Sequence, residues 1–494
     1  MVSYSPCRED SEIYNYIEEM RNILLTVFLL VAAASLHAKI TPAPVIGDNM
    51  VLQQNAEVAL WGFAEPDAKV TITTSWSKGK TVVSSDAGGK WQVRISTPSA
   101  GGPYEITISD GEKLTLKNIL IGEVWICSGQ SNMRMPMKGF YGQPVKGAAE
   151  YIVSARPERQ IRLCRVKENR SFVPETTCKA QWKEHLPGAV AEISATAYFF
   201  ARLLNESLNV PVGIIEAAWG GSPIEAWMDK EVLAKEFSDD FDLSFYMNGK
   251  YEGKHQHHAP GVIYNGMLCP IMPYTAKGFL WYQGCANRTQ PDLYMRMQPA
   301  FAKMLRERWG NAQMPFYFAQ IAPYGYDNRP EDPSAGLFMD AQARTLDMIP
   351  NSAMVATHDV GDRYTIHPPD KKTVGHRFAF LALARDYGIS GVEPDSPRLK
   401  SVDYSPNTAV LTFNVSRLGL NPYLKDLPGF ELAGDDKVFY PAVARISKDG
   451  MTVTVKCSEV PEPVAVRYGI HNYSEATVFN SSGIPISPFR TDNW

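Results

Sequence analysis

Hydrophobic and polar positions change rhythm twice along the chain. From residue 40 to about 118, short alternating stretches such as Val70-Thr-Ile-Thr-Thr and Trp91-Gln-Val-Arg-Ile are separated by Gly, Pro and Asp turns. Period-two alternation over so few residues marks half-buried strands. No amphipathic helix of useful length interrupts them, so residues 39–118 read as a small β-sandwich. From 119 to 395 buried strands alternate with helical stretches. Val124 to Ser128 is a strand, Ala191 to Leu208 a helix with an aromatic and aliphatic face, and Val210 to Ala218 the strand that follows it. Lys277 to Tyr282 and Met314 to Ile321 are further strands, Tyr294 to Trp309 is a helix, and Lys371 to Tyr387 is an amphipathic helix stopped by Gly388. This alternation predicts an α/β domain with a mostly parallel sheet. Beyond 396 short strands return, among them Ala409-Val-Leu-Thr-Phe and Thr452-Val-Thr-Val. They form either a second β-sandwich or the partner sheets of the first.

Length and charge narrow the picture. A chain of 494 residues with 45% apolar content can build two or three domains, each with its own core. Its formal net charge of -4 is near neutral for this size and offers no basic field, so no nucleic-acid partner is expected. Gly-rich phosphate loops of Rossmann or Walker type are absent from the sequence. Met20-Arg-Asn, the apolar run Ile23 to Ala34 and the small residues around Ser35 and Ala38 have the layout of a secretory signal peptide. That run falls short of the ~20 residues a spanning helix requires. The acidic, tyrosine-bearing segment before Met20 does not suit an n-region, which points to Met20 as the start of translation. Residues 1–38 are thus expected to be an N-terminal extension and signal peptide, with a mature chain that carries no membrane anchor and is secreted or periplasmic. Its oligomeric state has no signature in the sequence.

Six cysteines lie beyond that segment: Cys127, Cys164, Cys178, Cys269, Cys285 and Cys457. None forms a metal-type Cys-x-x-Cys pair. Cys164 with Cys178 reads either as a disulfide or as two buried thiols. His255, His257 and His258 are superficially metal-like, but loop histidines without carboxylate or cysteine partners are expected to be solvated, and no metal is expected. Six Asn-x-Ser/Thr sequons occur, one at Asn287.

Four stretches could carry chemistry. Gly129 breaks the strand ending at Ser128, and Gln130, Ser131 and Asn132 follow where a helix should begin. In open α/β sheets ligands bind at such carboxyl ends, where a serine hydroxyl is exposed and helix N–H groups are free. Ser131 is therefore a candidate nucleophile whose own N–H can face developing negative charge. From these residues alone a helix cap accounts for Ser131 better. Trp219-Gly-Gly-Ser-Pro-Ile-Glu-Ala-Trp227 follows the strand ending at Ala218, and its Gly220-Gly221 pair lets an N–H approach a ligand. Trp281-Tyr-Gln-Gly-Cys-Ala-Asn287 follows a third strand, and the Asn287 amide can donate or simply bond its own turn. His367 lies in Asp359-Val-Gly-Asp-Arg-Tyr-Thr-Ile-His-Pro-Pro-Asp-Lys371, just before the last helix of the α/β region, and an imidazole with an ordinary pKa of ~6.5 is a natural base near neutrality.

Ser128-Gly-Gln-Ser-Asn-Met133 resembles the first block of the SGNH hydrolases, specifically the sialate O-acetylesterase branch. Met50-Val-Leu-Gln-Gln, Leu60-Trp-Gly, Gly101-Gly-Pro-Tyr-Glu and Gly483-Ile-Pro-Ile-Ser-Pro-Phe-Arg are similar to the flanking regions of that family, so the resemblance spans almost everything after residue 38. It implies a flavodoxin-like three-layer α/β/α hydrolase domain at 119–395, flanked by β-sandwich regions at 39–118 and 396–494. It implies a serine esterase without cofactor or metal that removes O-acetyl groups from sialic acids or related glycans through an acetyl-enzyme. The alternatives are an acetyl-xylan esterase and a glycan-binding protein of the same fold without turnover. Under the resemblance Ser131 is the nucleophile and His367 the base, and the oxyanion hole is made by the N–H of Ser131, that of Gly220 or Gly221, and Asn287. Gln130, Arg134 and Gln283 are expected to contact substrate.

The chain departs from the family at three points. Cys285 stands where the family usually has a glutamate assigned to orienting the histidine, and Arg134 where it commonly has another glutamate. Tyr364 occupies the aspartate position of the usual Asp-x-x-His spacing. Asp362 or Asp359 is expected to orient His367 instead, Asp362 being the nearer in sequence, with a backbone carbonyl as the remaining option. A glycan at Asn287 would block its proposed role, which favours a bacterial envelope over a eukaryotic secretory route.

Overall fold

The computed structural model describes residues 18, 20, 21, 40–326, 332–422 and 425–494. Apart from those first three residues, the expected signal peptide lies outside the described residues. Among the described residues no helix is long and apolar enough to cross a membrane.

Five strands form the centre of the molecule: β1 (Lys113–Gly129), β2 (Val212–Ala218), β3 (Gly278–Tyr282), β4 (Phe316–Ala319) and β5 (Ser352–Val355). They are parallel and lie in the order β2-β1-β3-β4-β5, the flavodoxin-like arrangement, with Ile161–Arg165 and the antiparallel Trp182–Glu184 added outside β2. Every residue of β2 to β5 is buried, as expected of strands covered on both faces. Their side chains alternate between two cores. Val124, Ile126, Phe279 and Trp281 join one, with Phe301 and Tyr294, while Trp125, Cys127, Leu280 and Tyr282 join the other, with Phe199 and Phe378. The covering helices are α1 (Ser131–Arg134) and α2 (Ala195–Leu208), α3 (Pro291–Trp309), α4 (Ser334–Arg344) and α5 (Lys371–Asp386). Helices α2 and α5 pack together over one face and α3 with α4 over the other, which completes three layers.

The 17-residue β1 also belongs to the N-terminal region. Its first half pairs antiparallel with Gly101–Ser109, and Val51–Gln53 runs parallel to Leu120–Gly122, so the N-terminal strands extend the central sheet. Burial explains the length: every residue from Ile119 to Gly129 is buried, whereas the stretch from Lys113 to Asn118 is mostly part-exposed. Beside these, Thr41–Pro42, Glu57–Phe63 and Lys90–Ser96 make a separate three-stranded sheet. Gln53 and Gln54 donate to the carboxylate of buried Glu123 at 3.0 and 2.6 Å, and Tyr387 donates to it at 2.7 Å. The Met50-Val-Leu-Gln-Gln phrase is therefore a polar clamp on β1. The C-terminal region is a seven-stranded antiparallel sheet with a core of its own, built on Phe413, Phe430, Val453 and Tyr468. Cys164 and Cys178 are both free thiols, the first buried and the second half-buried, so they form no disulfide and only Cys164 fits the buried-thiol alternative.

Gly129 ends β1 with φ of 142°, and a Cβ there would lie 2.2 Å from the carbonyl oxygen of Tyr282. Gly129→Ala is expected to destabilise the fold by about 2–4 kcal/mol, because backbone on both sides must yield. A urea midpoint equal to that of the unsubstituted protein would contradict this.

Candidate active site

The site is assembled where three strands stop together. Gly129 is paired with Ala218 of β2 and Tyr282 of β3, so the turns after β1, β2 and β3 open side by side. Ser131 is the first residue of α1. Its N–H has no carbonyl one turn earlier to bond, and no side chain caps the helix. The Gln130 side chain instead accepts from the N–H groups of Gly284 at 3.0 Å and Ala286 at 3.4 Å, which shapes the turn after β3.

Ser131 and His367 line one cavity with Gly220, Gly221, Glu225 and Cys285. Gly220 packs so closely that a Cβ on it would be 3.6 Å from that of Ser131, and Gly221 has φ of 73°. Asn287 is 3% exposed and firmly held: its Oδ1 accepts from Ile224 N at 3.0 Å and from Gln283 Nε2 at 2.8 Å, and its Nδ2 donates to Glu225 Oε2 at 2.9 Å. An amide nitrogen carries two protons, so the bond to Glu225 leaves one over, while Asn287 itself is not among the residues that line the cavity. Burial raises the pKa of the Glu225 carboxyl, against the pull of Asn287, which favours its neutral form beside the cavity.

His367 is oriented by a residue that no motif indicated. Its Nδ1 lies 2.5 Å from Gln143 Oε1, and since an amide oxygen only accepts, Nδ1 carries the proton and Nε2 is left with a lone pair. The Phe140 ring meets the imidazole edge-to-face at 5.2 Å between centroids. Burial, and secondly the charge of Lys371, push the pKa of His367 down to about 4, so the imidazole is neutral near pH 7. Neither expected aspartate reaches it. Both oxygens of Asp359 accept from Arg377, at 2.6 and 2.7 Å, in a fork-to-fork ion pair. Asp362 Oδ1 accepts from the N–H groups of Tyr364 at 2.7 Å and Thr365 at 3.1 Å, folding its own turn.

Two expected substrate contacts are also spent elsewhere. Arg134 Nε lies 2.9 Å from Glu168 and 3.6 Å from Glu216, and Arg165 faces the same two carboxylates. Arg134 therefore serves buried Glu216 rather than the cavity. Gln283 donates to Ser222 O and Asn287 Oδ1 and accepts from Tyr294 OH, which leaves its side chain inside the scaffold. The histidines 255, 257 and 258 are not all solvated. His257 stacks on Trp219 at 4.8 Å with 1° between planes, and His258 lines the cavity with Tyr251. Among the described residues no group of three or more His, Cys, Asp or Glu side chains is placed to hold a metal ion.

The C-terminal region braces the loop that leads to His367. His358 bonds Ser474 Oγ at 2.8 Å, Arg377 donates to Gly483 O at 3.1 Å, and the Arg363 guanidinium lies 4.4 Å over the ring of Tyr473.

The chain resembles known proteins over most of its length. The family model described as carbohydrate esterase, sialic acid-specific acetylesterase, matches residues 121–384. A sialate O-acetylesterase of Homo sapiens is 28% identical over 90% of this chain and 91% of its own, and one of Pongo abelii is 28% identical over the same shares. The crystal structure of a carbohydrate acetylesterase from Xanthomonas citri superposes with a TM-score of 0.82 at 31% identity, covering 92% of this chain and all of that one.

The Arg134 cluster has a measurable consequence. Burial raises Glu216 from 4.5 to about 7, opposed by Arg134 and Arg165. The folded state thus binds this proton more tightly than the unfolded state, and the stability it contributes is lost as pH rises from about 4.5 to 7. Glu216→Gln is expected to flatten the fall of Tm across that window. A Tm profile with unchanged slope would show that Glu216 does not titrate there.

Proposed function

Because the chain belongs to the sialic acid-specific acetylesterase family of carbohydrate esterases and is a carboxylic ester hydrolase, we propose that it removes O-acetyl groups from sialic acids or related glycans with Ser131 as nucleophile. The observation that carries this reading is the meeting of Ser131, the Gly220–Gly221 turn and His367 on one cavity, with Nδ1 of His367 held by Gln143.

Nε2 of His367 takes the hydroxyl proton as Ser131 Oγ bonds to the acetyl carbon. Negative charge gathers on the former carbonyl oxygen, facing the N–H of Ser131, a glycine N–H of the turn after β2 and the second Nδ2 proton of Asn287. The bond to the sugar oxygen breaks and His367 returns the proton to that oxygen. Water, deprotonated by the same imidazole, then attacks the acetyl-enzyme and releases acetate and free Ser131. Gln143 holds the tautomer that this cycle needs, though as a neutral amide it stabilises the imidazolium less than a carboxylate would. No step calls on a metal or cofactor. The leader-like stretch Met20 to Ala38 supports an exported enzyme.

Acetate release from O-acetylated sialic acid and from O-acetylated xylan tests the reading directly. Ser131→Ala is expected to abolish release from either, and Asn287→Ala to lower kcat by about 10²–10³. Activity surviving Ser131→Ala would remove Ser131 from the mechanism. Gln143→Leu should lower kcat while Asp362→Asn leaves it near wild type; the reverse order would restore Asp362 as the orienting residue.

A further inference from the structure

Lys371 has no task in the chemistry above, yet it is buried beside it. It opens α5 four positions after His367 and is 1% exposed. No carboxylate among the described residues lies within ion-pairing distance of its amine. Burying an amine without a counter-charge is costly, so its contacts should matter. Nζ donates to Oδ1 of Asn132, and Nδ2 of Asn132 donates to the carbonyl oxygen of Ile366 at 3.0 Å. Asn132 is itself 1% exposed. It follows Ser131 in the chain, and Ile366 precedes His367. One buried relay of hydrogen bonds therefore joins the turn of the nucleophile, the loop of the base and the start of α5.

We propose that Lys371 is a positioning residue: acting through Asn132, it locks the turn that carries Ser131 to the loop that carries His367 and so fixes the approach of hydroxyl to imidazole. This rests on the Ser131–His367 reading above. Among the described residues the loop's other bonds hold it to itself or to other segments and not to the turn of Ser131. Asp362 bonds Tyr364, Thr365 and Pro323 O, Thr365 Oγ1 accepts from His367 N at 3.2 Å, and Gln143 meets both the ring and the Thr365 hydroxyl. The groups facing the ammonium are the Cys285 thiol, the Asp370 carboxylate, the His367 imidazole and, at 5.9 Å, the ring of Tyr282. Burial lowers Lys371 to about 7. An amine donates in either protonation state, so the tie survives titration while the charge felt by His367 does not.

Lys371→Met keeps the stem and removes the donor. It should lower kcat by about 10²-fold, the scale of a small misplacement of reacting groups, with KM within about twofold. Loss of the charge should also move the acid limb of the kcat/KM profile to higher pH, because Lys371 helps hold His367 low; a purely structural role would not move that limb. Asn132→Leu should reproduce the kcat loss, and the double variant should cost no more than the worse single one. Should Lys371→Met fail to fold, Asn132→Leu decides by its split between kcat and KM. Wild-type kcat in Lys371→Met, whether or not the acid limb moves, or losses that multiply in the double variant, would overturn the proposal. Labelling of the wild-type protein by a serine-directed organophosphonate separates the two claims. A label away from Ser131 defeats the mechanism itself, whereas a label on Ser131 with unaffected Lys371 and Asn132 variants defeats only the tie.

Discussion

Everything in the site depends on the register in which three parallel strands end. Gly129, Ala218 and Tyr282 are neighbours across β1, β2 and β3, and two residues beyond each stand Ser131, Gly220 and Gly284. A slip of one residue in either pairing would carry one of these turns about 3 Å along the sheet and turn its side chains to the other face. The register is held from several directions. Gln130 N bonds Tyr282 O at 3.0 Å and Trp219 N bonds Gly129 O at 3.0 Å, while the Gln130 side chain fastens the turn after β3. At the far end, Gln53, Gln54 and Tyr387 converge on Glu123. The N-terminal strands thus secure the strand that leads to Ser131, and the C-terminal region secures the loop that leads to His367.

Much of this was legible in the sequence, because it depends on local patterns. Continuous apolar runs marked β2 and β3 to within two residues, and the helix expected over Lys371 to Tyr387 spans Lys371–Asp386. Ser131, Gly220, Gly221 and His367 were singled out by turn chemistry and resemblance, and the fold brings them to one cavity. The misses share a cause, which is that side-chain direction is set by tertiary contacts. Asp362 is near His367 in sequence but closes its own turn, and Gln143 lies in a loop more than two hundred residues earlier, with no periodicity to mark it. Arg134 sits three residues from Ser131, almost one helical turn, yet it is drawn to Glu216, a carboxylate hidden in an apolar strand.

A neutral residue behind the histidine has chemical consequences. A carboxylate there raises the basicity of the imidazole and stabilises the imidazolium, whereas an amide fixes only the tautomer. With burial and Lys371 acting in the same direction, His367 is a weak base that stays neutral far into acid. Such a base suits an activated acyl group such as an acetyl ester better than an amide, whose poorer leaving group demands a stronger acid–base cycle. Burial raises the pKa of Glu225 beside Asn287, and any shift towards its uncharged form lessens the negative charge held near the cavity.

The central claim, that Ser131 is acylated with His367 as its base, is most directly tested by rapid-quench mass spectrometry during turnover of an O-acetylated sugar. The account predicts an acetyl group on the peptide containing Ser131, formed in the wild-type protein and absent after His367→Ala. Steady acetate release with no acyl group on Ser131, or with the group on another residue, would contradict it.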